Sequence, residues 1–514
     1  MTDAVRHMVV VGGGSAGWIT AAVLAAEHRE LKISLIESPD RPAIGVGEGT
    51  WPSMRSTLHR IGLPEIDLIR ECDASFKQGS RFDGWIRGAA GAEGDRYYHP
   101  FSLPQGYGEV ELIGAWQHGH AQHPYADTVT PQVQLCEHGL APKQVTTPGY
   151  AGAVNYGYHF DAVKLGQVLQ RHATTKLGVH HILAEIESVR SHENGDIAAL
   201  RTRELGDIEG DLFVDCSGMS ALLIGQHYGV AFRSEKGVLF NDTAMAVQVP
   251  YEDPATPLAS ATIATAHAEG WTWDIGLPTR RGVGLVFSSA HSSDEAAERT
   301  LRAYLQRTGS PAEVASPRKI SFNPGYREHF WHRNCVAIGL SAGFIEPLEA
   351  SALALVELSA AMLRDEMPVD RADMALVAKR FNEAFAYRWA RIIDFLKLHY
   401  VLSQREDSDY WRAHRRADTQ PESLRELLQI WRHRPPSRVD FYRIEEVFPA
   451  ASYQYVLYGM GFKPASSRTA RPEQLAAAEA AFKDVSTLTR RLMSGLPRHR
   501  DLLQHLHTHG MPSA

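Results

Sequence analysis

Three glycines near the start of the chain, Gly12, Gly14 and Gly17, are the residues whose type and spacing point most directly to chemistry. They complete a G-x-G-x-x-G after the apolar run 8–11, and Glu37 follows about twenty residues later. The first glycine allows a tight turn, the second lets backbone approach a pyrophosphate, and the third lets helix and strand pack closely. Ser15 and Ala16 lie in the same turn, just before the following helix, whose unpaired N–H groups and positive dipole favour phosphate. Glu37 is placed to accept ribose hydroxyls. The chemistry implied is dinucleotide binding.

That function needs a strand over 8–11, an alanine-rich helix over 18–27 and a second strand over 33–36, and the residues supply all three. Two later stretches turn a generic dinucleotide fold toward FAD. DLFVDCSG (211–218) is a strand running into a polar turn at Asp215, and NCVAIGLSAGFIEPLEASALALVE (334–357) is strand, small-residue turn and helix, with Gly339 and Ile345 in the turn. No second G-x-G-x-x-G follows a strand, so no resident nicotinamide site is visible. A flavoenzyme built this way takes its electrons from transient nicotinamide, from substrate, or as reduced flavin from another protein.

The remaining elements are read by periodicity. Helices are predicted over 53–61, 65–72, 160–176 and 293–307, and strands over 76–85, 181–191, 197–203, 211–215 and 334–339. Residues 88–108 and 109–158 read as irregular covering loops, 239–290 as sheet, and everything beyond 350 as mainly helical. The fold class is therefore α/β: an FAD-binding Rossmann-type module of the flavin monooxygenase kind, with a β-sheet insertion and a helical C-terminal part. The expected division is an FAD module with an inserted substrate-side sheet over 1–365 and a helical part completing the substrate pocket over 366–514.

Composition sets limits on function. The 514 residues are 44% hydrophobic and 22% charged, ordinary for a globular enzyme. A net charge of −7 offers no basic field for nucleic acid, and no apolar run is long enough to span a membrane. Four cysteines without metal spacing read as reduced thiols, and with no secretory pattern before the first strand the expected setting is cytoplasmic. The tail His505, His507 and His509 reads as a solvated, frayed end rather than a metal site.

GGGSAGW (12–18), GVGEGTWP (45–52), ASFK (74–77), YHPF (98–101), NYGYHFDA (155–162), DLFVDCSG, GWTW (270–273) and FIEPLE (344–349) occur in this order. On these segments, which run over nearly the whole chain, the sequence resembles the flavin-dependent tryptophan halogenases. The resemblance implies that FADH2 and O2 oxidise chloride or bromide to hypohalous acid, which a lysine delivers to a separately bound indole. Lys77 matches that lysine, and Glu349 the glutamate opposite it. Gly47 and Glu48 join the cofactor residues. The halide is expected on the backbone N–H groups of Ser351 and Ala352. There the tryptophan-specific members carry Glu-Ser-Thr-Gly and this chain carries Glu-Ala-Ser-Ala, so Ala352 lacks the glycine's access to positive φ. Trp271 and Trp273 match a G-W-x-W-x-I-P signature whose proline is absent here; two core tryptophans on one strand face fit equally well.

His99 and Phe101 match positions lining the indole pocket, and Phe448 and Tyr455 are candidates from the loosely aligned run 443–462. No anchor for a free amino acid's ammonium and carboxylate is evident, which leaves indole, an indole derivative or a peptide-borne side chain open. The resemblance further implies a separate NAD(P)H-dependent flavin reductase and allows a homodimer. Two other readings share the fold: a single-component FAD hydroxylase, and a relative that binds flavin or indole without turnover.

Overall fold

The computed structural model describes residues 4–40, 47–88, 95–310, 314–441, 443, 446–464 and 471–512. The chain forms two compact units, each gathered from three separate segments rather than divided near residue 365. The first takes residues 1–74, 160–235 and 323–389; the second takes 75–159, 236–322 and 390–514. The reason is topological: sheet strands pair across long sequence separations, so chain order and compactness part company.

The first unit is built on a six-stranded sheet in the order 331–332, 335–337, 212–215, 7–11, 32–37 and 180–183. All neighbours are parallel except Trp331–His332 against Cys335–Ala337. The register aligns Val11 with Ile36 and with Asp215, and Asp215 with Ala337. The carboxyl ends of these strands therefore lie along one edge, where open parallel sheets bind ligands. The strands are almost continuously apolar because helices cover them. The helix Ser15–Glu27 is among those covering helices, with Trp18 to Ala25 buried.

The second unit holds a seven-stranded sheet in the order 318–321, 243–250, 280–287, 270–276, 262–267, 79–83 and 96–100. It is antiparallel apart from Thr262–His267 beside Gly79–Asp83. Met245, Val247, Val283 and Leu285 on one face pack against Ala297, Leu301 and Tyr304 of the helix Asp294–Arg307. Helices after residue 390 complete this unit, among them Glu422–Trp431, Ala450–Gly459, Pro472–Gly495 and His499–His509. The long helix Arg371–Val401 passes from the first unit into the second after Trp389.

Three expectations change. The stretch 109–158 is not structureless: it contains the short helices Tyr125–Val129 and Gln132–Glu137, whose apolar residues pack on Tyr455, Tyr458 and Phe482. Part of 88–108 is the strand Arg96–Pro100, while 89–94 lies outside the described residues. The C-terminal tail is not frayed. His505, His507 and His509 are exposed on a helix that buries Leu502, Leu503 and Leu506. Among the described residues no group of three metal-ligating side chains is present, and no helix is long and apolar enough to cross a membrane.

Candidate active site

In the first unit the glycine turn is close-packed. A Cβ on Gly12 would stand 2.2 Å from the Cys216 carbonyl oxygen, and one on Gly17 would stand 1.9 Å from that of Gly12. Gly12 also has φ +118, a conformation that favours glycine. At Gly14 a Cβ would meet nothing within 4 Å, so the protein leaves this spot open. Ser15 and Ala16 follow as the first residues of the helix, whose N-terminus has no side-chain cap. The Glu37 carboxylate lies across Gly13 and accepts from His181 Nε2 at 3.0 Å. A side chain at 13 would displace that carboxylate.

Of the other predicted cofactor residues, Asp215 ends a strand of the six-stranded sheet and Gly339 lies just past the end of another, whereas Gly47 and Glu48 belong to a separate strand. Asp215 is fully buried and its carboxylate is committed to its own turn, accepting from Ser217 N and Oγ (3.0 and 2.6 Å) and from the N–H groups of Leu223 and Ile224 (2.8 and 2.9 Å). Its contribution is to shape the loop 217–224. Gly339 turns at φ +79 with Ala16 Cβ only 2.8 Å from where its own Cβ would be, and Ile345 is buried beyond it. Gly47 to Gly49 form a short strand, with 41–46 outside the described residues. Burial pushes the carboxyl of the half-buried Glu48 up to about 7. An open glycine face, an acid at the second strand's end and close-packed small residues fit a dinucleotide.

Glu349 is buried and sits in a turn of unusual backbone. Glu349 and Ala350 adopt φ 63 and φ 54, two consecutive left-handed residues without a glycine. Each costs about 1–3 kcal/mol and survives only when its surroundings hold it. The Trp51 indole N–H donates to the Glu349 carbonyl at 2.7 Å. Ser53 and Thr57, just beyond Trp51, donate to the two oxygens of Glu357 at 3.0 and 2.9 Å. The helix Ser351–Asp365 then begins with no side-chain cap, so the first-turn N–H groups of Ser351 and Ala352 have no intrahelical partner. The concern about Ala352 is answered by geometry: left-handed backbone falls at 349 and 350, and Ala352 is helical. Anions are favoured at such an end.

In the second unit Lys77 is 1% exposed. It ends the strand Ser75–Lys77, which pairs antiparallel with 157–159 and sets Lys77 against Gly157. Its ammonium lies 5.3 Å from the centroid of the half-buried Phe101 ring. His159 faces Ser75 in the register, hence on the same sheet face as Lys77. Its Nε2 bonds Thr262 Oγ1 at 2.8 Å, while Nδ1 is buried without a hydrogen-bond partner among the described residues. Burial, then the charge of Lys77, keep this imidazole neutral.

His99, Phe448 and Tyr455 come together. The His99 ring centroid lies 6.3 Å from Phe448 and 6.2 Å from Tyr455, and its Nε2 bonds Ser452 Oγ at 2.9 Å. Phe395, unanticipated from sequence, stacks on Phe448 at 3.8 Å and meets His99 edge-on at 5.6 Å. Tyr455 OH donates to the Ser102 carbonyl at 2.9 Å. Residues 444 and 445 of the run that carries Phe448 lie outside the described residues. Trp271 and Trp273 are both buried, 6.4 Å apart; Trp271 packs near Trp85, and Trp273 occupies the space a Cβ on Gly284 would need. Where the signature has proline, Gly276 offers its carbonyl to Ser75 Oγ at 2.6 Å.

Sequence reasoning missed Trp51, His159, Phe395, Ser452 and His499. A signal existed for His499: it shares the spacing 499, 502, 503, 506 with three buried leucines, the pattern of a helix's inner face.

The tryptophan halogenase family model matches residues 7–474. A tryptophan halogenase from Shewanella frigidimarina NCIMB 400 is 48% identical over 99% of both chains, with a TM-score of 0.96. BrvH, a flavin-dependent halogenase from Brevundimonas sp. BAL3, is 35% identical, covering 98% of this chain and 99% of its own, at a TM-score of 0.84. Tryptophan 6-halogenase ThaL from Streptomyces albogriseolus is 31% identical over 99% of both sequences.

Proposed function

The chain belongs to the tryptophan halogenase family of flavin-dependent enzymes, and from that premise we propose that it halogenates an indole-like arene through Lys77. Reduced FAD, when bound, supplies the electrons with which O2 oxidises chloride or bromide to hypohalous acid. The backbone of Gly12, Gly14, Ser15, Ala16 and Gly17 holds the pyrophosphate, and Glu37 holds the ribose. The N–H groups of Ser351 and Ala352 hold the halide.

The observation carrying this reading is the buried lysine beside an aromatic face. Away from bulk water, the Lys77 ammonium donates a hydrogen bond to hypohalous oxygen and polarises the halogen toward the ring; its free amine carries the halogen covalently. Either role needs an arene held still, and the half-buried Phe101 ring beside the lysine offers a face for stacking. The acid–base role falls to Glu349, which assists the oxidant or takes up the proton the ring releases. Electrons come from a separate NAD(P)H-dependent flavin reductase.

The test combines the purified chain with FAD, such a reductase, NADH, O2 and bromide, and offers indole and tryptophan side by side. Mass spectrometry should find the bromine isotope doublet on indole, and only when the reductase is present. Hydroxylated product formed without the reductase would instead establish a single-component hydroxylase.

A further inference from the structure

Both chain neighbours of Lys77 are tied into one buried network. The Phe76 N–H donates to His499 Nε2 at 2.9 Å, Gln78 Nε2 donates to the Leu140 carbonyl at 2.8 Å, and the Gln78 N–H donates to the Ser260 carbonyl at 2.7 Å. Ser260 Oγ donates to that same Leu140 carbonyl at 2.9 Å and lies 3.3 Å from His499 Nδ1. These contacts fix the imidazole's tautomer. A backbone N–H can only donate, so Nε2 accepts and the ring proton sits on Nδ1. The ring N–H at Nδ1 is shared among the Leu258 and Ala259 backbone and the Ser260 hydroxyl, whose own proton goes to Leu140.

The network is dry and anchored. His499 and Gln78 are fully buried and Ser260 is 1% exposed. Burial drives the imidazole's pKa down to about 3, and protonation would set a second donor against the Phe76 N–H. The chain entering the C-terminal helix is strapped to 139–141: the Ala141 N–H donates to the Pro497 carbonyl at 3.0 Å, and the His499 N–H to that of Gly139 at 2.8 Å.

We propose that His499, presented by the C-terminal helix His499–His509, is a positioning residue for Lys77, because its imidazole holds the Phe76 N–H and with it the strand on which the lysine stands. This rests on the assignment of halogen delivery to Lys77. A lysine that carries halogen to one ring carbon needs a fixed base, and displacement of about 1 Å can cost a hundredfold in rate.

The experiment uses the full chain with FAD, reductase, O2, bromide and indole, and measures bromoindole and free hypobromous acid, the latter with a 1,3-diketone trap. H499F should lower bromoindole formed per oxidant produced about ten- to a hundredfold, with FAD affinity unchanged. H499Q, which keeps an acceptor near Nε2, should recover most of the loss. A wild-type ratio in H499F, or equal loss in H499F and H499Q, would overturn the proposal. Should H499F not fold, H499L takes its place: it also removes the acceptor of the Phe76 N–H and must lower the same ratio, and an unchanged ratio is again a refutation. K77A runs alongside, because bromoindole made by K77A at the wild-type rate would refute the Lys77 assignment itself.

Discussion

The two units assemble their functional groups in opposite ways. In the first, the groups that would hold a nucleotide and a halide are mostly backbone: the turn at 12–17 and the N–H groups at 351 and 352. In the second, they are side chains from well-separated stretches: Lys77 and Phe101, His99, Phe395, Phe448 with Ser452 and Tyr455, and His499. A site built from backbone tolerates changes of side chain such as Glu-Ala-Ser-Ala at 349–352. A side-chain site depends on every partner in its packing.

Substitutions can break this contrast. G14V should leave a folded protein, because its Cβ meets nothing within 4 Å, yet abolish FAD binding; G17A should fail to fold because its methyl meets the Gly12 carbonyl. Flavin fluorescence titration beside thermal melts separates the two, and FAD bound normally by G14V would remove the pyrophosphate from this turn. E349Q should slow bromination about a hundredfold or more with little change in melting temperature; an unchanged rate would take the acid–base role from Glu349. W51F removes the one indole N–H shown holding the left-handed turn, worth about 1 kcal/mol or roughly a fivefold rise in bromide KM. An unaltered bromide KM would mean the turn holds itself.

The smallest effect concerns pH. Burial raises Glu357 from its usual 4.5 to about 8. The folded state then keeps this proton between those values while the unfolded state loses it, so the group's contribution is full below about pH 4.5 and is lost as pH rises through 8. E357Q, which has no charge to bury, should melt level with the wild type at pH 4 and roughly 5 °C above it at pH 9. Equal melting at pH 9 would mean the ionised carboxylate is stably housed by Ser53 and Thr57.

The same contrast explains what could be read from sequence. The fingerprint at 7–37 was legible because the demands on Gly12, Gly14 and Gly17 are met within a few residues. The helices 162–176, 294–307, 351–365 and 472–495 were legible from their periodicity. The segment 109–158 was not, since its helices are four to six residues long and exist only through packing on Tyr455, Tyr458 and Phe482. The left-handed turn at 349 and 350 gave no local sign, because a glycine would have announced it and none is there. The pairing of His499 was hidden by distance, because its partner Phe76 lies 423 residues away. Lys77 was visible only through resemblance, as its strand of three residues carries no pattern of its own.

The central claim is that oxidant is made with the help of the first unit's residues and used through one lysine of the second. The most direct test is K77A, measured for bromide oxidation and indole bromination in the same reaction. The account predicts that hypobromous acid is still trapped at close to the wild-type rate while bromoindole falls to the level of the free oxidant's own reaction with indole. Bromoindole from K77A at the wild-type rate and regiochemistry, or loss of oxidant together with product, would contradict it.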